Sequence, residues 1–211
     1  MRQKSRTYDF SGKATRPPGR PRSEPVRLAI LRSTLKLLEQ GGFPDLTIEA
    51  VAADANVGKA TVYRWWPNKA ALIADAFSSS TKRTLHFPDI GSVCADMNQQ
   101  MRQVIKIFRS RRGRILAAIL AAGQTDSRLL AAFRERFMKP RRQEAYATLR
   151  RGIARGELRR GLNLDLVLDS LYGPIYMRFV IHHDKLTTNF VDGLCDLVLT
   201  AVRPAGKVRR R

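Results

Sequence analysis

The chain has 211 residues, of which 39 are Lys or Arg and 18 are Asp or Glu, giving a formal charge of +21 and a pI near 11.2. Such a surplus points to a polyanionic partner, nucleic acid or an anionic membrane surface. The 44% hydrophobic content is enough for a buried core and excludes wholesale disorder. Cys94 and Cys195 stand far apart and outside any CxxC or Cys/His cluster, which argues against a disulfide framework and structural zinc. No apolar run is long enough to span a bilayer and the N-terminus has no signal-type apolar region, so a cytoplasmic protein with no membrane partner is expected.

Residues 1–22 carry seven basic residues against Asp9, together with Pro17, Pro18 and Pro21, and read as a flexible basic arm. Ser23 can cap a first helix with Leu28, Leu31, Leu35 and Leu38 at helical spacing, ending at Gly41-Gly42. Thr47 can cap a second, short helix that buries Ile48, Val51 and Ala52. Asp54-Ala55-Asn56 interrupts it, and Val57 to Trp65 makes a third helix. Asn68 can cap a fourth, with Ala71, Leu72 and Phe77 facing inward. Val93, Met97, Met101, Val104 and Phe108 form the stripe of the next helix, and "GRILAAILAAG" is a short apolar one.

Residues 126–155 read as helical, but Pro140 cannot bond back to Arg136, so a kink or break is expected there. Gly156 suits a left-handed cap. Leu164, Leu168, Leu171, Ile175 and Phe179 stripe a helix that Pro174 should bend, and Phe190, Leu194, Leu197, Val198 and Ala201 stripe the last. The tail 204–211 is basic again. Neither alternating strands nor a fixed repeat occurs, so the fold class is all-α.

Two short helices joined by a tight turn, the second basic, describe a helix-turn-helix. In "VGKATVYRWW" the small Gly58 and Ala60 let a backbone approach base edges in a major groove, and Lys59 can reach a guanine edge. Thr61 can bond a phosphate or touch a thymine methyl, and Tyr63 carries a hydroxyl suited to a phosphate oxygen. Arg64 and Trp65 extend the face, whereas Trp66 closes the small core. Lys69, in the first turn of the fourth helix, opposes the helix dipole unless an anion such as a phosphate joins it.

Residues 30–77 resemble the N-terminal domain of the tetracycline-repressor (TetR/AcrR) family. The matching elements are Gly42-Phe43, Thr47, Ile48 with Val51-Ala52, Val57, Thr61-Val62-Tyr63 and the Lys69 to Leu72 helix start. "RERFMKPRRQEA", "RGELRRGLNLD" and "LYGPIYMRFV" are similar to a TetR-type C-terminal pattern. Asn56 stands where that family usually has Gly, and Gly58 where Ser is frequent.

The resemblance implies a three-helix DNA-binding domain at 23–68, a helical effector-binding and dimerisation domain at 69–203, and a homodimeric transcriptional repressor that a small molecule releases from a pseudo-palindromic operator in double-stranded DNA. It carries DNA contact over to Thr47, Lys59, Thr61, Tyr63 and Lys69, and minor-groove contact to Arg20 and Arg22. The last two helices would pair with their copies through Leu168, Leu171, Ile175, Phe179, Leu194, Leu197, Val198 and Ala201, with Gly173 and Gly193 permitting close approach.

Phe133 and Phe137, and Tyr172 and Tyr176, recur at a spacing of one turn, and Met97 and Met101 add adaptable surface. A cavity lined by these six would take a flat, apolar or cationic effector. His182-His183-Asp184 is not a metal site, because adjacent helical histidines diverge. No catalytic or cofactor motif is present, so neither enzyme activity nor a cofactor is expected. The alternative to a sequence-specific regulator is a nonspecific or architectural nucleic-acid binder, suggested by the charge alone.

Overall fold

A computed structural model describes residues 23–204. They form ten α-helices and no strand: α1 Glu24–Asp45, α2 Ile48–Asp54, α3 Lys59–Trp65, α4 Lys69–Thr81, α5 Val93–Phe108, α6 Arg111–Gly123, α7 Ser127–Phe133, α8 Lys139–Ala154, α9 Leu164–Ile181 and α10 Thr188–Ala201, with a π-helical turn, Arg134–Met138, between α7 and α8.

The caps explain most boundaries. Thr47, Asn68, Ser92, Asp126, Asn163 and Thr187 each accept a backbone N–H of the first helical turn through a side-chain oxygen, satisfying donors that a helix start leaves without partners. Ser23 stands at the start of α1 but makes no such bond; Pro25 sets that start instead. Gly42, at φ 73°, breaks the helical path inside α1. Its inward face is Ile30, Leu31, Thr34 and Leu38, so the stripe is rotated from the expected one and leaves Leu28 exposed.

Pro140 does not end the helical run. It lies one residue into α8, and the turn before it widens to π geometry over Arg134–Met138. A wider register is one way for a helix to pass a residue without an N–H. Gly156 and Gly161 have positive φ, as does Asn56 at 52° in the α2–α3 turn; Asn tolerates the left-handed region better than most residues.

α4 is the element that organises the chain. It packs against α1 on one side and against α6, α7 and the π turn on the other. Consequently Ala70 to Ala74, Ala76 and Phe77 are all buried, not just one face. α5 joins the rest of the core, contacting α6, α8, α9 and α10. Among the described residues no helix is long and apolar enough to cross a membrane.

Candidate nucleic-acid interface and core cavity

The head is built on a few buried side chains. Leu46, Ile48, Val51, Val62 and Trp66 pack together, and Val57 N–H donates to Ala52 O at 2.9 Å across the turn. Fixing α3 by Val62 and Trp66 turns its other side to solvent. Gly58, Lys59, Ala60, Tyr63 and Arg64 are exposed, Tyr63 by 47%. A Cβ on Gly58 would meet nothing within 4 Å, so the start of α3 is open.

Two side chains depart from the expected roles. Trp65 is half-buried against the core with the Arg27 guanidinium 5.9 Å from its ring centre. It braces α3 against α1. The Lys69 ammonium donates to Leu46 O at 2.9 Å and Phe43 O at 3.5 Å, and lies 4.7 Å from the Phe43 ring centre. These carbonyls at the end of α1 hold the ammonium within the protein. Thr47 is exposed and caps α2, and Thr61 is half-buried. Arg20 and Arg22 lie outside the described residues.

Glu49 of α2 was not singled out in the sequence. It forms an exposed ion pair with Lys59. The hydrogen bond from Lys59 holds the Glu49 carboxyl below its ordinary range, and Glu49 in turn raises the Lys59 ammonium. Lys59 also sits 5.9 Å from the Tyr63 ring centre. The cation that would read a base is thus already held beside Tyr63 at the mouth of the reading face.

A small cavity of about 70 Å³ lies among α5, the π turn, α8 and α9. Phe137, Tyr172 and Tyr176 line it, joined by Gln100, Phe108 and Met138. Met97, Met101 and Phe133 do not. Met101 packs its sulfur 3.3 Å from Cys195 Sγ of α10, Met97 is fully buried, and Phe133 is buried with its ring centre 5.9 Å from that of Phe77 and 5.0 Å from that of Phe137. The α5 surface that faces the cavity is therefore Gln100 together with Val104 and Phe108, the C-terminal part of the expected stripe. Among the described residues no acid lines the cavity, and Arg141 and Arg142, which do, are paired outside it with Glu144 and with Asp165 and Asp169.

Tyr172 donates its hydroxyl to Gln100 Oε1, and Tyr176 donates to Met138 Sδ at 3.7 Å. Burial lifts the Tyr176 phenol from 10.0 to about 12 and the Tyr172 phenol further still. Both stay hydrogen-bond donors at neutral pH.

Five of the eight residues expected in a self-association face are core residues. Leu168, Leu171, Ile175, Phe179 and Leu194 are buried within the protomer, because α10 packs on α5 and α9 packs on α10, α8 and α5. Leu197 and Ala201 are exposed and Val198 partly so. The outward stripe of α9 is Leu166, Ser170, Gly173, Met177 and Ile181, and that of α10 is Gly193, Leu197 and Ala201. A Cβ at Gly173 or Gly193 would meet nothing within 4 Å, so both sit on the open side.

Comparison with known proteins agrees with this architecture. Residues 30–76 match the model for bacterial regulatory proteins of the tetR family, and residues 87–198 match the tetracyclin repressor-like C-terminal domain. The HTH-type transcriptional regulator YdeS of Bacillus subtilis is 39% identical over 88% of this chain and 92% of its own. The DNA-binding transcriptional repressor TetR of Mycobacteroides abscessus is 26% identical over 88% of this chain and 98% of its own. The crystal structure of the TetR family transcription regulator SCO0332 superposes with a TM-score of 0.75 at 36% identity, covering 86% of this chain and 100% of that one. With a helix-turn-helix head, a helical C-terminal domain and relatives of this closeness, the chain belongs to the TetR family of transcriptional regulators.

Proposed function

We propose that the protein is a homodimeric, effector-responsive repressor that reads a pseudo-palindromic operator with α3, and that it is not an enzyme. The observation that carries this reading is the two-sidedness of α3: Val62 and the adjoining Trp66 are buried, while Gly58, Lys59, Ala60, Tyr63 and Arg64 face outward. A helix held rigidly from behind with small and basic residues in front suits a major groove. Lys59 supplies base preference and Tyr63 phosphate contact. The formal charge of +21 adds affinity that is independent of sequence and falls with salt.

Self-association would use the outward stripes of α9 and α10, where apolar side chains flank two open glycines. A two-fold axis there sets two heads on one face of the duplex. The cavity among α5, the π turn, α8 and α9 is the effector site. At about 70 Å³ it is well below the roughly 300–1,000 Å³ of a drug-sized site, so occupancy requires the walls to move. That movement is what couples ligand to DNA, to the extent that the ligand prefers one state.

Selection of bound sequences from a random duplex pool tests the reading. A two-fold symmetric motif is the expected result. Binding that grows with charge but enriches no motif would replace it with an architectural binder, the reading that the basic composition alone favours.

A further inference from the structure

The cavity and the head are connected by a short series of polar contacts, and its first link is a poor one. The Tyr176 hydroxyl donates to the thioether of Met138, and a thioether is a weak acceptor. Met138 ends the π turn. Two residues earlier on the same turn, Arg136 Nη1 pairs with Asp75 Oδ2 of α4 at 2.8 Å. The same Asp75 Oδ2 accepts the indole N–H of Trp66 at 2.8 Å, and Trp66 is the residue that ends α3. Between Arg136 and Met138, Phe137 lines the cavity and sets its ring edge-on against Phe77 of α4, centres 4.9 Å apart.

We infer that the effector is a compact apolar molecule carrying a neutral or anionic oxygen acceptor, which takes the Tyr176 hydroxyl from Met138 and loosens the Arg136–Asp75–Trp66 bridge to the recognition helix. This deepens the effector-response reading and rests on it. An acceptor oxygen gives the buried hydroxyl a better partner than sulfur does. The apolar walls favour a hydrocarbon or aromatic body; the lining holds no acid that would pair a cation, and the Arg141 and Arg142 guanidiniums in it are already paired outside it with Glu144 and with Asp165 and Asp169. Since the resting cavity is too small for such a body, Phe137 and Met138 must yield. Their displacement moves Arg136, which lies on the same turn of backbone. The π turn is the irregular piece of the wall, and such turns recur at functional positions in helices. Asp75 then holds Trp66 with one partner fewer, and α3 loses part of its fixed seat.

Four probes with one shared body separate the parts of this proposal: hydrocinnamate, benzylacetone, propylbenzene and protonated phenylpropylamine. Binding is measured by titration on the full chain without DNA, together with the indole N–H resonance of Trp66, assigned with Trp65→Phe. Hydrocinnamate and benzylacetone should bind about three- to tenfold more tightly than propylbenzene, the value of one hydrogen bond, and the amine should bind weakest. Tyr176→Phe should erase the advantage of the two acceptors and spare propylbenzene. Acceptor binding should shift the Trp66 resonance, and Arg136→Gln should keep the binding while losing that shift. Asp75→Asn, which leaves Trp66 an acceptor oxygen, should weaken the shift similarly, so a folding defect in one variant does not decide the matter. Equal binding of all four probes, or of none, overturns the ligand class. Binding with an unmoved Trp66, or a shift that survives both variants, overturns the bridge. None of these readouts uses DNA, so they can fail while operator selection succeeds, and the reverse.

Discussion

Leu197→Ala is the sharpest perturbation of the proposed dimer. Leu197 is 70% exposed on the outward stripe of α10, a position that an isolated protomer would have little reason to keep apolar. Leu→Ala removes three carbons, each worth about 0.8 kcal/mol when taken out of water. With 70% of the side chain left to cover, the loss is about 1.7 kcal/mol per copy. A two-fold interface contains the residue twice, so the dimer should weaken by about 3.4 kcal/mol, or roughly 300-fold in dissociation constant. Sedimentation equilibrium reads this directly, and the thermal transition of the dissociated protomer should stay unchanged. Leu168→Ala is the matched control. With Leu168 only 1% exposed in the protomer core, the change should cost about 2–5 kcal/mol of folding stability and leave the association constant of the folded protomer nearly intact. An unaltered dimer with Leu197→Ala, or a dimer lost with Leu168→Ala at full protomer stability, would refute the outward-stripe interface.

Glu49→Gln removes the exposed partner of Lys59. Operator affinity should rise modestly and the gain should shrink with added salt, because the competing carboxylate is screened; competition binding at two ionic strengths checks both. Gly113→Ala places a Cβ 2.0 Å from the Phe108 carbonyl oxygen, a backbone atom with no side chain to rotate away. Its thermal transition should fall well below that of Gly58→Ala, where nothing stands in the way. Burial raises the Cys195 thiol from 9.0 to about 12 and the Tyr176 phenol from 10.0 to about 12. Unfolding lets both ionise earlier, so stability is unaffected by them below about pH 9 and should decline from there toward pH 12. Denaturant midpoints across that range, compared with Cys195→Ala, test the sign.

The helices were legible wherever a cap and a period coincided. Thr47, Asn68 and Asn56 each marked a boundary through local chemistry, and local chemistry is what a sequence states outright. The inward stripe of α5 was legible for the same reason. Which stripe of α9 and α10 faces outward was not, because both carry apolar residues and only the packing against α5 decides between Leu168 and Leu166 or between Leu194 and Leu197. Periodicity gives the faces of a helix but not their destinations. The same limit hid the cavity: Gln100 sits one step around the helix from Met101 and Phe108 two turns further along the same stripe, yet α5 shows Met101 to α10 and Gln100 and Phe108 to the cavity. Asp75 and Arg136, 61 positions apart, carry no pairing signal in a single chain.

Lys69 shows why the destination of a charge matters more than its position. Its place in the first turn of α4 suggested a phosphate contact, yet its ammonium closes on the Phe43 and Leu46 carbonyls. Those oxygens stand at the C-terminal end of α1, where a helix leaves acceptors without partners. The contact therefore ties the start of α4 to the end of α1. The two roles differ in salt dependence. A phosphate contact contributes about 0.9 to the slope of log affinity against log salt, whereas a tether within the protein contributes nothing to it. Lys69→Met keeps the aliphatic stem over Phe43 and removes the charge. It should lower operator affinity at every ionic strength by the same factor, leaving the slope unchanged, and should lower the thermal transition of the head. A slope reduced by about 0.9 at unchanged stability would return Lys69 to the DNA and leave the end of α1 to be held by its packing alone.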